Sequence, residues 1–191
     1  MISEERVIAA CNELKKILQK IKPSKLELLA AALVGRLLNR PIFVASSGSQ
    51  FGGDAGTIGS NSRYFRVECK RYRKSSTLGI RSLLGEIDEA IRADSMLEAW
   101  ILVATRDVNE QLARNLIRKG EETGIAVIFL EFQKHEFSRF AVLCSFAHEV
   151  VRRFATPKAA TLALEIQKVA NSDTEESYRV QQSRKSRQKK N

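Results

Sequence analysis

Two largely apolar runs, AWILVAT at residues 99 to 105 and IAVIFLEF at 125 to 132, are separated by one stretch of helical character. Runs of this kind suit strands covered on both faces, because a half-exposed strand would alternate apolar with polar residues. Between them, Val108 to Glu122 repeats apolar residues at helical spacing and stops at Gly124, a residue suited to a helix C-terminus. Strand, helix and strand with both strands buried describe a βαβ unit, whose crossover is right-handed in the usual case. A chain built on that unit is α/β, with a mixed sheet flanked by helices. At 191 residues, 43% of them hydrophobic, it can fill one domain with a real core.

The flanking segments extend this plan. Val7, Ile8, Cys11, Leu14, Ile17 and Leu18 form one helical stripe over residues 3 to 20, which Pro23 ends. Ser24-Lys25-Leu26-Glu27 has the spacing of a capping box and opens a second helix running to about Asn39, before Pro41. PIFVAS predicts a short strand, and the Gly-rich SSGSQFGGDAG follows it. Residues 77 to 94 predict a helix with Leu78, Leu83, Leu84, Ile87 and Ile91 facing inward. Residues 134 to 154 and 157 to 170 predict closing helices, and the polar, basic stretch from 171 to 191 predicts a disordered tail or linker. The expected order is ααβββαβαβ with C-terminal helices, one domain over residues 1 to 170 and a tail over 171 to 191.

Charge and cysteine content narrow the partners. Six basic residues and no acidic ones lie between Ser177 and Asn191, which leaves +4 of the formal +10 for residues 1 to 176. A pI near 9.8 is therefore weak support for a polyanionic partner, since much of the excess sits in the tail. Cys11, Cys69 and Cys144 are widely spaced, with no CxxC pair and no His at zinc-ligand spacing, as expected of a reducing cytoplasm. The start, MISEERVIAACNELKK, is amphipathic and unlike a signal peptide. LLAAALVG is far shorter than the roughly 20 residues that span a bilayer, so no membrane partner is expected.

The segment GSQFGGDAGTIGSNSRYFRVECKRYR, residues 48 to 73, carries the chemistry. Read as a strand, Tyr64 to Arg73 puts Phe65, Val67 and Cys69 on one face and Arg66, Glu68 and Lys70 on the other. The turn-forming GSNSR before it suggests a hairpin centred on Asn61. In that register Asp54 directly opposes Glu68, with Cβ atoms about 5 Å apart. Two carboxylates so close call for a cation between them, and Mg²⁺ prefers such hard oxygen ligands, often completed by substrate phosphate. Lys70 would face the same space, where an ammonium can orient or help deprotonate an attacking water and offset charge on a phosphorane-like transition state. Asp54, Glu68 and Lys70 therefore suffice in principle for phosphodiester hydrolysis.

Gly53-Asp54, fourteen positions before Glu68-Cys69-Lys70, with a preceding helix bearing Glu27 and a following αβ unit, resembles the PD-(D/E)xK nuclease superfamily. VECKRY at residues 67 to 72 resembles its Mrr-like restriction endonuclease branch in particular, and the likeness covers about residues 24 to 132. The resemblance implies a restriction-endonuclease-like fold, DNA as substrate and hydrolysis dependent on Mg²⁺, with Mn²⁺ as an alternative ion. It implies Asp54 and Glu68 as metal carboxylates, the Cys69 backbone carbonyl as a further ligand and Lys70 as the catalytic lysine, with Glu27 completing the metal environment. It also implies a bacterial restriction or anti-phage role, an activating sensor domain, and a homodimer or higher oligomer to cut both strands. Gly53 departs from the Pro of the superfamily name. Only one helix precedes residue 24, too little for the winged-helix module that some Mrr-type enzymes carry.

Plainer readings stand beside these. Glu27, as the third residue of a capping box, is already explained by a bond to the Ser24 backbone. Arg63, Arg66, Arg71, Arg73 and Lys74 surround the site and could hold DNA phosphates, or form an ordinary solvated face. The Cys69 side chain belongs to the core by parity. His135 and His148 have no partner at a recognisable spacing, and Trp100 packs in its strand. Glu86, Asp88 and Glu89 form the wet face of a helix from which Glu86 can approach the cleft. The alternative function is a catalytically silent nucleic-acid-binding or interaction module that uses the same basic face and tail.

Overall fold

The computed structural model describes residues 4–45, 53–57, 64–72, 79–133, 138–169 and 171. The elements run α1 (Glu4–Leu18), α2 (Pro23–Leu38), β1 (Phe43–Val44), β2 (Ala55–Gly56), β3 (Tyr64–Lys70), α3 (Ile80–Ala93), β4 (Leu97–Ala104), α4 (Glu110–Thr123), β5 (Ala126–Glu131), α5 (Arg139–Phe146) and α6 (His148–Phe154). A further helix, α7, covers residues 157–169. The five strands form one mixed sheet in the order β1-β2-β3-β4-β5. β1, β2 and β3 are antiparallel neighbours, while β3, β4 and β5 run parallel.

Alternation along β4 explains the layering. Ile101 and Val103 join a core with Val67, Leu130 and residues of α1, α2, α5, α6 and α7. Trp100, Leu102 and Ala104 turn the other way, onto Leu83 and Ile87 of α3 and Leu112 and Leu116 of α4. Helices thus cover both faces, and β4 is apolar and buried from Ala99 to Ala104, with the exposed Glu98 near its start. Among the described residues no helix is long and apolar enough to cross a membrane.

Three local expectations need correction. The capping box at Ser24 does not form: α2 starts at Pro23, with Lys22 as N-cap and no capping side chain. Proline suits the first helical position because its fixed φ is already helical and its missing N–H would have had no partner there. Glu27 is therefore released from a capping role. The single helix expected over 134 to 154 is two helices, since Ala147 leaves helical conformation at φ −137° and ψ 52°. The apolar period continues across that break through Phe140, Cys144, Ala147 and Val151, all buried, so the sequence pattern gives no sign of it. The strand expected at PIFVAS is only Phe43–Val44. The hairpin turn around Asn61, His135 and the tail lie outside the described residues.

The α4 terminus is where sequence and packing agree most tightly. Gly124 adopts the left-handed conformation at φ 75°, and the Ile125 N–H donates back to the Gly120 carbonyl at 3.0 Å. The chain turns so sharply that a Cβ on Gly120 would lie 2.7 Å from the Ile125 carbonyl oxygen and 2.7 Å from Val127 Cγ2. Gly120→Ala is expected to cost about 1–3 kcal/mol through overpacking against β5, read as a lowered urea midpoint with an unchanged m-value.

Candidate active site

The register of the antiparallel arms decides what meets what. Ala55 pairs with Val67 and Gly56 with Arg66, so the continuation of the ladder sets Asp54 opposite Glu68, the pairing the sequence suggested. A Cβ on Gly53 would lie 3.2 Å from the Val67 carbonyl oxygen, a tight contact, so glycine before Asp54 eases the approach of this segment to β3. Asp54 then ties three strands together. Its carbonyl accepts the Ala45 N–H at 2.8 Å, and its Oδ2 accepts the Cys69 N–H at 2.7 Å.

Backbone groups of successive residues along β3 face opposite neighbours. The Lys70 carbonyl accepts the Thr105 N–H at 3.1 Å on the β4 side, whereas the Cys69 N–H faces Asp54 on the β2 side. By the same alternation the Cys69 carbonyl opens towards Asp54. The Cys69 side chain packs against the core of α1 and α2, and burial followed by the charges of Asp54, Glu68 and Glu27 raises its thiol well above the ordinary range. A thiol so disfavoured as thiolate is a poor nucleophile.

Glu68 projects to the α3 side and is only 3% exposed. Burial, and then the Asp54 carboxylate, push its pKa up from 4.5 to about 7, against the pull of Lys70. Lys70 Nζ makes an ion pair with Glu68 Oε1 and lies 3.8 Å from Glu86 Oε1 on α3. Burial alone would lower the Lys70 pKa, but Glu68, Glu86 and Asp54 together hold it above its ordinary value. Lys70 is thus an ammonium at neutral pH. Glu27, half-buried on α2, has its pKa raised by burial and then by Asp54.

Asp54, Glu68, Lys70 and Glu86 therefore converge at the carboxyl end of β3, with Glu27 electrostatically coupled to Asp54. Among the described residues no three His, Cys, Asp or Glu side chains form a group able to hold a metal ion by themselves. Asp54 and Glu68, two facing carboxylates beside an outward carbonyl, are hard donors of the kind Mg²⁺ takes together with water and phosphate. The basic residues divide. Arg66 folds its guanidinium over Gly56, and Arg71 Nη1 donates to the Ile21 carbonyl at 3.0 Å. Arg63, Arg73 and Lys74 lie outside the described residues.

Glu86 is a closer member of the site than its place on a wet helical face suggested. Thr105 has as its only sequence signal a polar side chain closing an apolar run. Glu131 was also passed over. It is in register with Ala104, itself paired with Lys70, and burial raises its pKa.

No protein-family model matches the sequence, and no curated protein matches it.

Glu68 holds its proton more tightly in the folded chain than at its ordinary value of 4.5. Its favourable contribution is therefore full below about pH 4.5 and is lost as pH rises through about 7. In metal-free buffer, denaturation at pH 5, 6, 7 and 8 should show native stability falling more steeply across this window than in Glu68→Gln. Parallel pH profiles for the two proteins would contradict the buried-carboxylate assignment.

Proposed function

We propose that the chain is a Mg²⁺-dependent DNA endonuclease with a restriction-endonuclease-like core, related to the Mrr-like branch of the PD-(D/E)xK superfamily. The observation that carries this reading is the buried Glu68, facing Asp54 and paired with Lys70 at the end of a central strand. A buried carboxylate with its pKa near 7 destabilises the folded chain at neutral pH, a cost of the kind that sites of chemistry carry. The order of elements and the VECKRY motif add the resemblance on which DNA as substrate and a bacterial defence role in the cytoplasm rest.

In this reading Asp54, Glu68 and the Cys69 carbonyl hold the ion, with Glu27 beside them. The bound ion would neutralise the facing carboxylates, polarise the scissile phosphate and lower the pKa of a water. Lys70, an ammonium held between Glu68 and Glu86, orients that water and offers positive charge to the equatorial oxygens as they gain charge. Asp54 does two things at once, since the oxygen that accepts the Cys69 N–H also fixes the carboxylate plane. One such site serves one strand, so duplex cleavage calls for two copies or two encounters. An attached sensor domain would supply the activating signal.

Plasmid cleavage with Mg²⁺ tests the proposal. Lys70→Ala and Asp54→Ala are each expected to lower the cleavage rate about 100-fold or more, with DNA affinity retained. Tight binding by the native chain without cleavage, tested as an oligomer and with candidate activators, would favour the silent binding module. Truncation after Asn171 should leave cleavage intact. It should also flatten the salt dependence of DNA affinity, because it removes the six basic tail residues.

A further inference from the structure

We propose that Thr105 is a positioning residue that fixes Lys70 and the start of α2 in one frame. Its side chain is fully buried at the carboxyl end of β4, and all three of its polar groups are engaged. Its N–H donates to the Lys70 carbonyl at 3.1 Å, its Oγ1 accepts the Tyr72 N–H at 3.1 Å, and its carbonyl accepts Gln19 Nε2 at 2.8 Å. The parallel ladder between β3 and β4 ends at Lys70 and Ala104. One step beyond, the Thr105 hydroxyl takes the place of a ladder carbonyl, so the chain leaves the sheet with the Tyr72 N–H still paired.

The third bond reaches the other helical layer. Gln19 and Ile21 belong to the turn between α1 and α2, and the Arg71 guanidinium donates to the Ile21 carbonyl at 3.0 Å. Residues 70 to 72 are therefore fastened on one side to β4 and on the other to the turn that leads into Pro23. Glu27 follows one helical turn later. The geometry links the backbone carrying the lysine to the helix carrying the outer carboxylate, and Thr105 is the residue common to both links. Arg71, on this view, acts through backbone anchoring.

The activity arm of the test rests on the nuclease reading, and the spectroscopic arm does not. Thr105→Val keeps the branched shape and removes Oγ1, whereas Thr105→Ser keeps the oxygen. Thr105→Val is expected to lower kcat for plasmid cleavage about tenfold, roughly the loss of one positioning bond, with KM unchanged and Thr105→Ser close to the native rate. The Lys70 ¹³Cε resonance should move in Thr105→Val and stay in place in Thr105→Ser, whether or not the protein cuts DNA. An unmoved Lys70 resonance in Thr105→Val, or an unchanged kcat in an active preparation, would overturn the proposal. Should Thr105→Val fail to fold, Gln19→Leu decides the question: a shifted Lys70 resonance supports the clasp, and an unshifted one refutes it. A native chain that cuts no DNA counts against the nuclease reading alone, and the resonance comparison still judges Thr105.

Discussion

The ion pair between Glu68 and Lys70 is the constraint around which the rest of this end of the sheet is arranged. A carboxylate buried between a sheet and a helix needs a positive partner, because an isolated charge in that setting is strongly disfavoured. Lys70 supplies it from the same face of the same strand, two residues on. The pair is incomplete as a neutralising device, however, since Asp54 lies opposite Glu68 and Glu86 approaches the ammonium from α3. Two contacts help hold this unbalanced cluster in place. The Asp54 bond to the Cys69 N–H fixes the outer carboxylate, and the close passage at Gly53 lets its strand come near enough to make that bond.

Much of this was legible in the sequence, for identifiable reasons. The two apolar runs became β4 and β5, but only β4 is buried almost throughout, whereas β5 is buried over Phe129 to Glu131 and exposed at Ala126 and Ile128. The pairing of Asp54 with Glu68 was expected from turn chemistry and the parity of β3, and the observed register, extended one residue beyond Ala55 and Val67, agrees with it. Patterning also assigned Cys69 to the core. These features are local, or need only one assumption about where a hairpin folds.

What escaped the sequence depends on tertiary geometry. The start of α2 turned on whether Pro23 ends one helix or begins the next, and the apolar stripe cannot distinguish the two. The break at Ala147 is hidden because buried residues keep their helical spacing across it. The approach of Glu86 to Lys70 needs α3 laid across β3, and the bonds of Thr105 join the turn after α1 to the ends of β3 and β4, segments far apart along the chain. Arg71 has a structural contact that the sequence does not show. Counted among the basic residues around the site, it is partly occupied in tying a turn to a strand.

The gathering of carboxylates around one lysine has an electrostatic consequence for how such a pocket would admit a ligand. Among the described residues Glu27, Asp54, Glu68 and Glu86 outnumber Lys70 in this cluster, which makes it an acidic spot in a chain whose formal charge is +10. A phosphate approaching it meets a repulsive field just where the surrounding chain is attractive. Cation loading would offset most of that negative charge, so Coulomb's law favours an order of events with the ion first and the polyanion second.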